Sequence, residues 1–201
     1  MARGTGRIFA LALVLAGAGC GITPSSGPLI TSYDFGPPPE GRQVAGLRQA
    51  LLVHDVNAPA WLDSPLIYYR LAYQDATRPQ AYADSRWVTS PAELFTNRLR
   101  VQLVASGGGI LQPGDDARAK HALRVDLEEF IQVFDAPGKS RAVVRFRASV
   151  MGNRSLIAQR GFSLERPAST PDAEGGVRAL IGATNEAVDQ LIGWTAQHLK
   201  D

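Results

Sequence analysis

Apolar positions along the chain fall into blocks whose periods differ, and each period predicts an element. Leu47 to Val56 is apolar enough for a first substantial strand, and Leu66 to Tyr73, rich in Ile, Leu and Tyr, predicts a second. Between them the prolines of Ala58-Pro59-Ala60-Trp61-Leu62-Asp63-Ser64-Pro65 exclude a long helix and predict a turn. Ser90-Pro91-Ala92-Glu93 combines a capping residue, proline at the first helical position and a glutamate three residues after the cap, so a helix should begin there. Leu94, Phe95, Leu99 and Leu103 give that helix its apolar stripe, Arg98, Arg100 and Gln102 are expected mostly on the wet side, and Gly107-Gly108-Gly109 should end it.

A period of two then takes over. Leu123, Val125, Leu127, Ile131 and Val133 predict one face of a long strand, with a bulge near Glu129, where the alternation breaks. Ala136-Pro137-Gly138-Lys139 and Gly152-Asn153-Arg154-Ser155 are turn sequences bounding Val143 to Met151, with Leu156 to Leu164 beyond, so two hairpins are expected. In the middle strand Ala142, Val144, Phe146, Ala148 and Val150 alternate with Arg145 and Arg147, which predicts one buried and one wet face. After Arg166-Pro167 a helical period returns from about Pro171 to Leu199, with Thr170 as its expected cap. Val177, Leu180, Ile181, Thr184, Val188, Leu191, Ile192 and Thr195 form its stripe, and Gly175-Gly176 and Gly182 should loosen its early turns. The expected fold class is α/β: a mixed, largely antiparallel sheet of about five to six strands with two main helices packed on it.

The amino terminus reads differently. Arg3 and Arg7 precede an uncharged, mostly apolar run from Ile8 to Ala18, the layout of an export signal. A membrane-crossing helix needs about 20 apolar residues, and no segment supplies them. Cys20 is the only cysteine, so it forms no internal disulfide. It follows the small residues Ala16-Gly17-Ala18-Gly19 and resembles the cysteine of the bacterial lipobox, with Gly17 where that pattern usually has leucine. That resemblance implies cleavage before Cys20 and lipidation of its sulfur, hence a signal peptide over residues 1–19, a lipidated tether with a short strand near Tyr33-Asp34-Phe35 over 20–46, and a domain over 47–201. The same residues also admit ordinary cleavage after Ala18, which leaves an unmodified thiol. Gly21 after the cysteine, where enterobacterial sorting signals for the inner membrane carry aspartate, points to the outer membrane. Removing the leader removes Arg3 and Arg7, which account for the formal charge of +2, so the mature domain is neutral and offers no warrant for nucleic-acid binding.

Catalytic signatures are absent from the sequence. There is no phosphate-binding Gly-x-x-x-x-Gly-Lys-Ser/Thr, no Gly-x-Ser-x-Gly and no Ser-x-x-Lys. His54, His121 and His198 have no metal-ligand spacing, and Asp115-Asp116 and Glu128-Glu129 read as solvated charge. No enzyme activity, cofactor or metal is expected. What remains is an aromatic group comprising Trp61, Tyr68, Tyr69, Tyr73, Tyr82 and Trp87, which either fills the core or presents hot spots to a protein partner.

The run Pro59 to Arg70, then Ser85-Arg86-Trp87 before a proline-led helix, then Glu128-Glu129-Phe130-Ile131-Gln132-Val133-Phe134-Asp135, resembles the ABC-type transport auxiliary lipoprotein component, the paraquat-inducible protein C type, from about Tyr33 to Trp194. The family usually has a basic residue where Ser64 stands. The resemblance implies a non-catalytic subunit of a lipid transport system. It would dock on a periplasmic mammalian-cell-entry-domain protein that works with a permease and an ATPase, and link it to the periplasmic face of the outer membrane. Trp61, Leu62, Asp63, Pro65, Tyr69 and Trp87 are then the expected partner-binding residues, and Cys20 the lipidation site. A homo-oligomer is compatible with this reading. Two alternatives stay open, a lipoprotein that itself carries a lipid and an envelope assembly factor that activates a cell-wall enzyme.

Overall fold

The structure is a computed structural model that describes residues 29–39, 49–153 and 155–199. The leader, Cys20 and the expected domain boundary at residue 47 lie outside the described residues. In chain order the elements are β1 (Thr31–Tyr33), β2 (Leu51–Val53), a 3₁₀ turn (Ala60–Leu62), β3 (Leu66–Leu71), β4 (Pro79–Trp87), α1 (Pro91–Ala105), β5 (Ile110–Leu111), β6 (His121–Ala136), β7 (Lys139–Gly152), β8 (Ser155–Pro167) and α2 (Ala173–His198). The class is α/β as expected, but the described residues form an eight-stranded sheet rather than one of five to six strands.

The added strands are short or polar, which is why periodicity misses them. Strand β4 carries Gln80, Asp84, Ser85 and Arg86 and is mostly exposed, yet it is held by an antiparallel ladder to β3 and a parallel one to β1. Of the expected strand over 47–56 the described part shrinks to Leu51–Val53: the His54 N–H closes the ladder on the Leu123 carbonyl at 3.1 Å, and the chain next meets β6 at the bridge from Asn57 to Asp126.

Strand β6 organises the sheet. One edge pairs with β7 along its whole length, while the other is shared by β2, next to His121–Leu123, and β3, next to Gln132–Phe134. The bulge falls between Leu127 and Glu129, where it was expected. Its consequence corrects the expected face. An extra residue inverts the phase of a strand, so Leu123, Val125, Leu127 and then Phe130 enter the main core, whereas Ile131 and Val133 join Val143 in a small cluster on the opposite side. The inversion also turns Gln132 inward. It is fully buried, and there its Oε1 accepts from the Tyr82 hydroxyl at 2.8 Å and its Nε2 donates to Ser140 Oγ at 2.8 Å. Burial holds the Tyr82 phenol well above its ordinary pKa, so it remains a donor.

Both helices lie on one face. Phe95 of α1 meets Phe146 of β7 edge-on at 5.3 Å, Phe146 stacks on Phe162 of β8 at 4.8 Å, and Phe162 meets Trp194 of α2 at 5.8 Å. Helix α1 begins as expected, the Ser90 side chain accepting from the Glu93 N–H at 3.3 Å, and ends at Ser106 before Gly107 at φ +83°. Its stripe is wider than expected: Arg98 and Gln102 are buried, and Val101 and Val104 take the wet side instead. In α2 the cap is Asp172 and not Thr170. The Asp172 carboxylate accepts from the Gly175 N–H at 2.8 Å and from the Thr170 hydroxyl at 2.8 Å, so threonine orients the cap that it was expected to be.

The helical glycines have a packing reason. A Cβ at Gly175 would lie 2.2 Å from the Thr170 carbonyl oxygen, and one at Gly176 would lie 2.0 Å from Gln132 Oε1. The first turn of α2 therefore approaches the sheet at backbone distance. The expected loosening is offset by this close contact, and both glycines are buried inside an unbroken helix.

Candidate functional site

The segment between β2 and β3 fills a notch in the edge of β6. Because β2 runs beside β6 only as far as Leu123 and β3 only from Gln132, the intervening stretch of β6 has no ladder partner among the described strands on that side. Asn57 spans part of the gap, donating its N–H to the Val125 carbonyl at 2.9 Å and accepting from the Leu127 N–H at 2.7 Å. Pro59 then turns the chain outward into the 3₁₀ turn, which the Leu62 N–H closes onto the Pro59 carbonyl at 2.8 Å.

This turn sorts its side chains. Leu62 points inward and is fully buried. Trp61 is half-buried and meets Tyr68 edge-on at 5.2 Å, while Asp63 and Pro65 are exposed. Pro65 is fixed by its carbonyl, which accepts from the Trp87 N–H at 2.8 Å. Trp87 itself is only 1% exposed and packs with Phe35 at 5.5 Å and Phe130 at 5.8 Å. Tyr69 lies on the helix side of β3, tilted against Tyr82 at 4.6 Å, with its hydroxyl donating to Gln80 at 3.0 Å. Of the six partner-binding residues named from the sequence, Trp61, Asp63 and Pro65 thus share one accessible ridge, Tyr69 is partly covered, and Leu62 and Trp87 belong to the core.

Beside the ridge is a cleft of about 730 Å³ lined by Asn57, Pro59, Trp61, Asp126, Glu128 and Arg147. Its floor is the face of the sheet away from the helices, which carries alternating charge. Arg147 donates to Glu128 at 2.7 Å, and Glu129, only 12% exposed, joins Arg70 at 2.7 Å to Arg145 at 3.1 Å. Hydrogen bonding to Glu128 raises the Arg147 pKa further, so its guanidinium stays charged. Glu128 and Glu129 are therefore ion-paired side chains and not a free carboxylate pair. Among the described residues no group of three His, Cys, Asp or Glu side chains is placed to hold a metal ion.

One residue expected on the wet side of α1 proves to be a buried tie. Arg98 is 4% exposed, and its Nη2 donates to the carbonyls of Phe35 at 2.5 Å and Gly36 at 2.7 Å while the guanidinium lies over the Phe35 ring. It fastens the β1 segment to α1. Its spacing was a usable signal, since position 98 follows Leu94 by four and Phe95 by three, which is the apolar stripe itself.

The sequence model of the family described as ABC-type transport auxiliary lipoprotein component matches residues 33–192. The chain belongs to that family. As an auxiliary component of ABC-type transport it falls in a family described by a transport role and not by an enzyme activity. Comparison with curated proteins gives no match. Among solved structures, the auxiliary lipoprotein is similar to a protein from Xanthomonas campestris, with a TM-score of 0.65 and 23% identity over 85% of this chain and 92% of the other. It is also similar to an uncharacterized protein, with a TM-score of 0.60 and 14% identity over 86% of this chain and 99% of the other. At these identities the likeness is one of fold. The matched region starts at Tyr33, the last residue of β1, so it includes the Phe35 and Gly36 carbonyls that Arg98 holds. Among the described residues no helix is long and apolar enough to cross a membrane.

Proposed function

We propose that the chain is the non-catalytic lipoprotein subunit of a mammalian-cell-entry protein-dependent lipid transport system. In this reading residues 1–19 are a leader, Cys20 carries the lipid, the stretch to residue 46 is the tether, and the domain docks on the periplasmic substrate-binding component of the transporter, linking it to the periplasmic face of the outer membrane. The permease and ATPase of that system supply the energy. The observation that carries the reading is the family match over residues 33–192 in a chain whose leader-like start ends at its only cysteine.

The geometry supports docking over transport inside the chain. Trp61 offers a large half-buried aromatic edge next to the exposed Asp63 and Pro65, the composition of a protein-binding hot spot. Beneath it the core is filled by side chains such as Leu62, Phe95, Phe130 and Phe146, each 1% exposed or less.

Two measurements test the reading. Fatty-acid labelling should mark the wild-type protein and leave Cys20→Ser unmarked. Affinity recovery from solubilised envelopes should bring down a mammalian-cell-entry-domain protein, and Trp61→Ala with Asp63→Arg should lower that recovery at least tenfold. Recovery of a peptidoglycan synthase in its place, or stoichiometric lipid retained by the purified domain, would replace this reading with an assembly or carrier role.

A further inference from the structure

At the end of the sheet where β6 begins, the surface is both basic and aliphatic. Ala50 before β2, Lys120 before β6 and the β7–β8 turn at Asn153 stand side by side, because Leu51 pairs with His121 and His121 with Gly152. On one flank Gln49, Ala50, Arg118, Ala119 and Lys120 line a cleft of about 350 Å³. That is several times the ~30 Å³ of a water molecule and leaves room for a phosphodiester headgroup. On the other flank Leu156 and Ile157 emerge from β8 at 54% and 43% exposure. The two flanks are continuous, since the space over Gly152 is occupied jointly by Ile157 and His121.

The cations here are uncommitted. Arg118, Lys120 and, on the adjoining face, Arg124 are exposed, and the ion pairs among the described residues use other basic side chains. The nearby Asp115 is turned to its own loop, accepting from the Gln112 N–H at 2.7 Å. Arg70, Arg141, Arg145 and Arg147 of the sheet contrast with this, each guanidinium being tied to a carboxylate. Cations without partners beside exposed aliphatic side chains match the two layers of a membrane interface, anionic headgroups above and acyl chains below. A protein partner would have to supply clustered acids and an apolar pocket together, whereas an anionic phospholipid carries both in one molecule.

We propose that this end of the sheet is a contact site for anionic phospholipid, with Arg118 and Lys120 receiving the phosphate and Leu156 and Ile157 entering the acyl boundary. The contact is additional to the Cys20 anchor and to docking on a transporter, and would lay the domain itself against an anionic bilayer surface. Vesicle co-sedimentation tests it on the mature chain carrying Cys20→Ala, so that no acyl chain contributes affinity. Binding is expected to vesicles of phosphatidylglycerol in phosphatidylcholine, to be weak to phosphatidylcholine alone, and to fall with added salt. Arg118→Glu with Lys120→Glu should lower partitioning by at least about 30-fold, the worth of the two surface cations removed at an anionic leaflet, with the repulsion of two added carboxylates on top. Leu156→Ser with Ile157→Ser should lower it while preserving the salt dependence. All four positions are exposed, so the variants should fold, which circular dichroism checks. Equal sedimentation of wild type and charge-reversed protein, or indifference to phosphatidylglycerol, overturns the proposal. So does release by inorganic phosphate at constant ionic strength, which would assign the cleft to a free anion. A charge-reversed protein that still recovers its transporter partner separates failure of this site from failure of the docking role.

Discussion

Alanine at Gly176 and alanine at Gly193 are the same chemical change in the same helix, and they are expected to move stability in opposite directions. In an open helix interior, glycine to alanine gains up to about 1 kcal/mol by restricting the unfolded chain and improving helix propensity. At Gly193 an added Cβ meets nothing within 4 Å, so the gain should appear nearly in full. At Gly176 the same atom would lie 2.0 Å from Gln132 Oε1 and 2.5 Å from its Cδ. Gln132 has nowhere to retreat: it is fully buried and joined to Tyr82 and Ser140 at 2.8 Å each. Moving it breaks both bonds, at about 1 to 3 kcal/mol for the buried groups left unsatisfied, and overpacking adds a further cost of about 1 to 3 kcal/mol. Against the gain of about 1, Gly176→Ala should be destabilised by roughly 1 to 5 kcal/mol. Urea unfolding of the two variants reads the difference directly, and the midpoint should fall for Gly176→Ala and rise for Gly193→Ala. Combining Gly176→Ala with Gln132→Ala should recover part of the loss, because the clash is pairwise. Equal stabilisation of both single variants would refute the close approach of α2 to β6, and with it the inward turn of Gln132 after the bulge.

Three further outcomes follow from the same structure. Arg98→Leu should cost about 2 to 4 kcal/mol in urea unfolding, since the carbonyls of Phe35 and Gly36 lose their shared donor, and hydrogen exchange should quicken selectively over residues 31–36; unchanged protection there would show that β1 is held by its ladder alone. Hydrogen bonds from the Gly175 N–H and the Thr170 hydroxyl hold the Asp172 carboxyl below its ordinary pKa, so its contribution is present above the unfolded carboxyl pKa and is lost as pH falls through the lower folded value; Asp172→Asn, which keeps an acceptor but not the charge, should flatten the acid limb of the stability–pH curve, and an unchanged limb would place its origin elsewhere. Trp87→Ala should lower stability by about 3 to 5 kcal/mol as a core truncation, whereas Trp61→Ala, at a half-buried edge, should cost less than half as much and show mainly in partner recovery; comparable losses would make Trp61 a core residue.

Local chemistry determined a good part of this protein. Ser90-Pro91-Ala92-Glu93 starts α1 because its cap acts within four residues, and Gly107 ends it for the same reason. The alternation Ala142, Val144, Phe146, Ala148, Val150 and the long stripe of α2 were legible because each is a repeating period strong enough to state which face is buried. Order and spacing of motifs also carried the family resemblance that the match over residues 33–192 shows.

Only the tertiary structure decided the rest, and always where a residue's environment is made by distant chain. The bulge at Glu129 was visible as a broken alternation, but its effect on Ile131 and Gln132 was not, because the residues that fill each face come from β3, β7 and α2. Polar β4 has no apolar period and exists because β1 and β3 supply its hydrogen bonds. Arg98 reads as a surface charge until the carbonyls of Phe35 and Gly36 arrive from more than sixty residues away. The same holds for the candidate docking ridge. Neighbours in sequence, Trp61 and Leu62, part company in space because the 3₁₀ turn aims one at solvent and the other at a core assembled by the whole sheet. A period records which side of an element is dry, while contact order beyond one element is what assigns a side chain its partner.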